Sequence, residues 1–332
     1  MKLGGFGVLG ILGILLLIRL ILFYAFPPRV ETISKNPLHD RTVFSQIKDR
    51  IRGTYDSTLN SQNSKLLMGI VFGDKNLDKS SNQKFIATGV LHVVAASGMN
   101  VSMLTSFMLT TLLVFFRRQH ALILTAATIL FYTALADFQP SIIRAAIMAF
   151  FALAAGVTGR QNTAILALFF AAFGMVFWDP AVLVSISFIL SFAATLGIIL
   201  LDPIFKRGVF RSSFFEDFRT TFSAQIATTP ILLFFFGTYS PVSIIANFLV
   251  LWTVPPLMIL GMIAAVLSFI TPILAAPIIY LCMPLLSYFW AVIDYFARLS
   301  VPVELKGIPW TLIIGYYLIL LGIIFTLRKS KN

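Results

Sequence analysis

Within long apolar stretches of this chain sit a few side chains able to hydrogen-bond or carry charge, and they fall into three sets. The densest is Thr88-Gly89-Val90-Leu91-His92-Val93-Val94-Ala95-Ala96-Ser97-Gly98-Met99-Asn100. Polar groups in hydrocarbon are costly and usually face a bundle interior or a wet cavity. On one continuous helix His92, Ala96 and Met99 would share a face, with Ser97 and Asn100 on the neighbouring one, and Gly89 and Gly98 would let another backbone approach. Two accounts stay open: a packing seam stitched by interhelical hydrogen bonds, or the lining of a path. An intramembrane serine protease with Ser97 as nucleophile fails on geometry. His92 lies five residues earlier, about 140° round a helix, and no other intramembrane histidine is available.

The second set is Asp137-Phe138-Gln139-Pro140-Ser141-Ile142-Ile143-Arg144. Pro140 suits the first turn of a helix and places Arg144 one turn inside it. Arg144 could snorkel to the interface, form an ion pair with Asp137 or with Asp294, or contact a passing phosphate. The third set is Ser185, Ser187, Ser191 and Thr195, joined by Gln225, Thr228, Thr229 and Asn247. Hydroxyls three and four residues apart commonly stitch membrane helices, and the same groups could line a hydrated route.

Other chemistries are excluded by pattern. His39, His92 and His120 are far apart and Cys282 is alone, so no zinc-site spacing exists and no intrachain disulfide can form. No phosphate-cradling Gly-x-x-x-x-Gly-Lys-Ser/Thr loop occurs. The expectation is a protein without enzymatic activity, catalytic residues, metal or cofactor.

The elements that must position these residues follow from composition. The 332 residues are 58 % hydrophobic and 11 % charged, with mean hydropathy +0.93 and net charge +12. Too few charges are present to clothe a water-facing surface. The expected fold is an all-α membrane protein, a polytopic bundle of about ten spans near 5–26, 90–116, 119–136, 140–158, 162–178, 181–201, 220–236, 242–270, 273–298 and 309–327. Pro255-Pro256 should break the eighth. Arg117-Arg118, Arg160, the group Lys206, Arg207, Arg211 and Arg219, and the tail Arg328, Lys329 and Lys331 then share one side, expected to be cytoplasmic, with both termini.

Four regions result. Residues 1–26 form an anchor, 27–88 an extracytoplasmic basic amphipathic segment, 89–300 the polytopic domain, and 301–332 the last span with a basic tail. Segment 27–88 holds ten basic residues against six acidic ones. The excess reads either as tolerated in a long loop or as a collar that attracts an anion. Within it Val43, Ile47 and Ile51 recur at helical spacing, which suggests a helix lying on the membrane surface. Leu66 to Phe72 is too short to span and reads as interfacial or re-entrant.

Taken in order, the polar sets resemble a known family. Leu66-Leu-Met-Gly-Ile-Val-Phe-Gly-Asp74-Lys75, Thr88 to Val101, Pro140-Ser-Ile-Ile-Arg144-Ala-Ala-Ile-Met148, Ser187-Phe-Ile-Leu-Ser191-Phe-Ala-Ala-Thr195-Leu-Gly197 and Gln225-Ile-Ala-Thr-Thr-Pro230 with Ser243 to Asn247 are similar to the successive signatures of the bacterial ComEC-type competence proteins, inner-membrane channels for DNA uptake. The likeness covers about 64–300. It implies that His92, Ser97, Gly98, Asn100, Pro140, Arg144, Ser187, Ser191, Gln225 and Asn247 line or support a path for a single DNA strand. A hydrated basic path is what phosphates would need.

Departures are visible. Asn100 stands where many members have histidine. The 27–88 segment is short for the family's oligonucleotide-binding outer domain, and Asn332 follows the last span by five residues, leaving no room for a metallo-β-lactamase-like domain. The expectation is a minimal member in the bacterial cytoplasmic membrane, in contact with lipid and single-stranded DNA, working with a DNA receptor outside and a helicase-like ATPase inside. A secondary transporter of another anionic or lipid-linked substrate, with Asp294 as coupling carboxylate, is the alternative. A membrane scaffold ranks last, since no long docking domain is present.

Overall fold

A computed structural model describes residues 13, 15–20, 43–74, 76–94, 98–158, 163–206, 212, 216–236, 238–240, 242–300, 303–304 and 309–329. The first predicted span, 5–26, therefore lies almost wholly outside the described residues. From residue 43 the chain is nearly all helix. In order come α1 (Val43–Thr58), α2 (Ser61–Phe72), α3 (Lys79–Thr88), the short α4 (Leu91–Val94), α5 (Gly98–Phe115), α6 (Arg118–Leu135), α7 (Pro140–Thr158) and α8 (Ala164–Trp178). A 3-10 turn (Pro180–Val184) leads into α9 (Ile186–Phe205), then α10 (Glu216–Phe236), α11 (Ser243–Leu251), α12 (Val254–Ser268), α13 (Pro272–Leu299) and α14 (Trp310–Lys329). Two dipeptide strands, β1 (Thr238–Tyr239) and β2 (Val303–Glu304), pair antiparallel.

Among the described residues five helices are long and apolar enough to cross a membrane: Gly98–Phe115, Pro140–Thr158, Ile186–Phe205, Pro272–Leu299 and Trp310–Leu327. The α11–α12 pair, bent by 46°, makes a sixth if it is one broken span. The predicted break is there, with Pro255-Pro256 in the first turn of α12, where a missing N–H is harmless. Side chains such as Val114, Phe115 and Ile273 stand three-quarters or more exposed, a surface that suits lipid. The chain is a multi-pass α-helical membrane protein. Helices occupy the other predicted spans, but these fall short of the expected ten for physical reasons. α6 opens on Arg118-Gln119-His120 and carries three threonines, α10 opens on Glu216-Asp217-Phe218-Arg219, and α8 has 15 residues, fewer than a perpendicular crossing needs.

The largest correction concerns α1 and α2. Ile51 and Tyr55 on α1 are buried, and Leu66 through Phe72 on α2 are at most 2 % exposed. A helix apolar on every side needs protein on every side. α12 and α13 supply that cover, and the core runs from Ile51 to Ile293 without a break at 88. Two details let α2 come close. An alanine Cβ at Gly261 would lie 2.6 Å from Val71 Cγ2, so only the bare backbone fits, and the Tyr55 hydroxyl donates to the Gly261 carbonyl at 2.7 Å. α2 is thus embedded in the bundle rather than lying on it, while α1 is amphipathic as expected, its Ile51 and Tyr55 turned to the bundle and Asp49, Arg50 and Asp56 exposed. α2 is bounded by its own signals: Asn60 accepts from the Asn63 N–H at 2.8 Å, and Gly73 ends the helix at φ 71°, a left-handed position that glycine adopts without strain.

Four of the described basic residues of this region form ion pairs within the protein. Lys48 pairs with Asp137, Arg52 with Asp49 and Asp74, Lys65 with Asp78 and Lys84 with Asp294, all within 2.9 Å. Of the expected anion-attracting collar, Lys48, Arg52, Lys65 and Lys84 are thus held by carboxylates, while Arg50 meets the Phe269 carbonyl and ring.

Candidate functional site

The segment from Thr88 to Asn100 is the hub on which the other polar blocks converge. It is not one continuous helix. α3 ends at Gly89, φ 68°, and helix is described again over Leu91–Val94 and from Gly98 onward. Each end is pressed against another block at a glycine. A Cβ at Gly89 would sit 2.5 Å from Ser243 Cβ on α11, and one at Gly98 would sit 2.3 Å from Arg144 Nη2 and 3.3 Å from Ala145 Cβ on α7. Between them Val94 meets Gly69 of α2, where an added Cβ would lie 2.6 Å from Val94 Cγ1. Asn100, fully buried, donates to the Ile70 carbonyl at 2.8 Å. Asn100 thus ties α5 to α2, and Gly98 leaves the space that the guanidinium fills.

Arg144 is the centre of the site. Pro140 opens α7 as expected and sets Arg144 one turn in, where it is 8 % exposed. Its Nε donates to Ser191 Oγ at 2.8 Å and its Nη1 to Thr195 Oγ1 at 2.5 Å. The Thr195 hydroxyl in turn donates to the Ser191 carbonyl at 2.9 Å, which aims its oxygen at the arginine. Met148 Sδ at 3.5 Å and the Phe192 ring, with its centroid 6.0 Å from Cζ, complete the described contacts. Every one of these partners is neutral. The two carboxylates considered for an ion pair are engaged elsewhere: Asp137 with Lys48 at 2.5 Å, and Asp294 with Lys84 at 2.7 Å. Among the described residues no carboxylate compensates Arg144. A buried cation without a counter-charge costs several kcal/mol, reduced here by the hydroxyls and the ring face. A phosphate would supply the charge that the protein does not.

A family model described as competence protein matches residues 70–330. This chain belongs to the competence protein family. It is 29 % identical over 162 residues to ComE operon protein 3 of Bacillus subtilis (strain 168), covering 48 % of this chain and 21 % of that protein. It is 33 % identical over 144 residues to an uncharacterized protein of Aquifex aeolicus (strain VF5), covering 42 % of this chain and 34 % of that one. The matched regions span 21 % and 34 % of those relatives' own lengths. No solved structure matches the chain.

In this competence-family chain a second polar cluster lies at the Gly89 end of the hub. Gln225 on α10 donates to Ser243 Oγ at 3.4 Å, a long bond, and its Oε1 accepts nothing. Both side-chain polar atoms of Asn247, one turn beyond Ser243, are buried and unpartnered. Open valences of that kind cost about 1–3 kcal/mol each unless water or a ligand meets them. Thr228 and Thr229 bond back into their own helix, at 2.9 and 2.7 Å, which is the packing account of those residues.

The structure therefore brings together Gly98, Arg144 and Ser191 at one end of the hub, and Gln225 with Asn247 at the other. Ser187, one turn before Ser191, is exposed and apart from the arginine. Ser97 and the His92 side chain lie outside the described residues. Thr195 and Ser243 stood in the polar blocks of the sequence but not among the residues that the resemblance assigned to the path. Thr195 had a signal, its spacing of four from Ser191. Ser243 had none beyond its place in the last block.

Proposed function

We propose that this chain moves single-stranded DNA across the bacterial cytoplasmic membrane during natural transformation, with Arg144 as the station for a passing phosphate. One observation carries the reading: a buried guanidinium held only by hydroxyls, sulfur and a ring, with no carboxylate among the described residues to neutralise it. Membership of the competence family supplies the substrate class. Transport of this kind needs binding and hydration but no covalent step, so the chain works without catalytic residues. Both termini are cytoplasmic and α1–α3 are on the outer side in this reading. A DNA receptor delivers the strand, and a helicase-like ATPase draws it inward. The alternative of carboxylate-coupled secondary transport depends on Asp294, which is held by Lys84.

The test is transformation of a deletion strain carrying each variant at matched membrane abundance. Arg144→Gln should lower transformation about 100-fold, the scale of removing one partner of a desolvated charge contact, while Arg144→Lys keeps part of the activity. Wild-type transformation by Arg144→Gln overturns the assigned station.

A further inference from the structure

The turn between α6 and α7 holds two consecutive non-glycine residues in left-handed backbone, Asp137 at φ 56° and Phe138 at φ 50°. Aspartate tolerates that region. For a bulky phenylalanine it is a genuine outlier. The strain is imposed from both sides. The Asp137 and Phe138 N–H groups close the end of α6 on the carbonyls of Ala134 and Thr133, at 3.2 and 3.0 Å. Lys48 of α1 holds the Asp137 carboxylate, and the Gln139 amide donates to the Gly73 carbonyl at 3.1 Å. Glycine would make the same turn without strain, so the phenyl group is what the strained position provides. That ring is 60 % exposed, packs on no other ring among the described residues, and precedes by two residues the helix that carries Arg144. Strained positions over-determined by their surroundings concentrate where a side chain must be presented to something else.

We propose that Phe138 is a nucleobase-stacking residue that receives the strand ahead of Arg144, the ring taking the base face and the guanidinium the phosphate. The inference rests on the DNA-transport reading above. Single-strand binding commonly pairs aromatic platforms with cations in this manner, and stacking tolerates every base because each has a π-face. Such a contact does not need Lys48, Arg52, Lys65 or Lys84, which are paired with carboxylates.

The competing role for an exposed phenylalanine in a membrane protein is an interfacial anchor in lipid, and the experiment separates the two. Phe138→Trp is purified and reconstituted, and its emission is read after subtraction of the wild-type signal from Trp178, Trp252, Trp290 and Trp310. An oligothymidylate should quench the added tryptophan, whereas an abasic oligomer of equal length and charge, or brominated phospholipid, should not. In a parallel anisotropy titration Phe138→Leu should bind oligothymidylate about tenfold more weakly than wild type, with abasic binding unchanged and Phe138→Tyr retaining affinity. Quenching by brominated lipid and not by the oligonucleotide overturns the proposal, as does wild-type affinity in Phe138→Leu. If the wild-type protein binds neither oligomer, the DNA-transport reading itself falls. If wild type binds and Phe138→Leu binds equally well, only the role of Phe138 falls.

Discussion

Arg144 and Arg219 are both buried, 8 % and 3 % exposed, yet the fold treats their charges differently. Arg219, in the first turn of α10, donates to the Asp202 carboxylate at 3.0 Å and to the Ser212 carbonyl at 3.2 Å. Its charge is compensated within the protein, and the pair ties the end of α9 to the start of α10. Arg144 meets the Ser191 and Thr195 hydroxyls earlier on the same α9, and no carboxylate among the described residues. One arginine completes the fold. The other leaves a positive charge uncompensated beside a glycine-made gap. On the DNA-transport reading, the difference separates a structural cation from one positioned for a phosphate of the strand.

The largest effects should come from exchanging the fates of these two residues. Arg219→Met leaves Asp202 without its partner and should lower stability by roughly 3 kcal/mol, the low end for a broken buried pair because Asp202 keeps some solvent. Arg144→Met removes an uncompensated buried charge and should leave the unfolding midpoint unchanged or raised, while abolishing transformation. Thermal unfolding of the purified proteins beside transformation assays checks both. A large loss of stability in Arg144→Met would break the comparison, since it would make that arginine structural too.

The gap comes next. Gly98→Ala puts a Cβ on Arg144 Nη2 and against Ala145 and should lower stability by about 1–3 kcal/mol with loss of transformation. Gly156→Ala, further along α7, meets nothing closer than Leu122 Cδ2 at 3.8 Å and should be neutral or stabilising by about 0.5–1 kcal/mol. Equal behaviour of the two alanines would remove the claim that Gly98 shapes the arginine site.

The smallest effect concerns α14, the last predicted span, whose many exposed apolar side chains suit a lipid-facing anchor. Pro230 in α10 has no N–H for the Ile226 carbonyl, and Tyr316 donates there at 2.9 Å, with Tyr317 donating to Ala227 at 2.6 Å. Tyr316→Phe should cost about 0.5–1 kcal/mol in thermal unfolding. A midpoint equal to wild type would return α14 to the role of anchor.

Hydropathy alone placed the helices, because covering twenty apolar residues in hydrocarbon is a local requirement that any chain order satisfies. The break at Pro255-Pro256 and the helix start at Pro140 were legible for the same reason: each depends on a proline's fixed φ and missing N–H. The ordered blocks made the family readable. The span count was less legible, since α6, α8 and α10 are helices whose length or polar residues blur the criterion. What only the tertiary structure decided were the partners. Arg144 finds Ser191 and Thr195 47 and 51 residues away, Asp137 finds Lys48 at a separation of 89, and Asp294 finds Lys84 at 210. Leu66–Phe72 is buried because α12 and α13 cover it. A charge or an apolar helix can be met by many partners, and which one meets it is set by packed helices and side-chain reach, quantities that no local stretch of sequence contains.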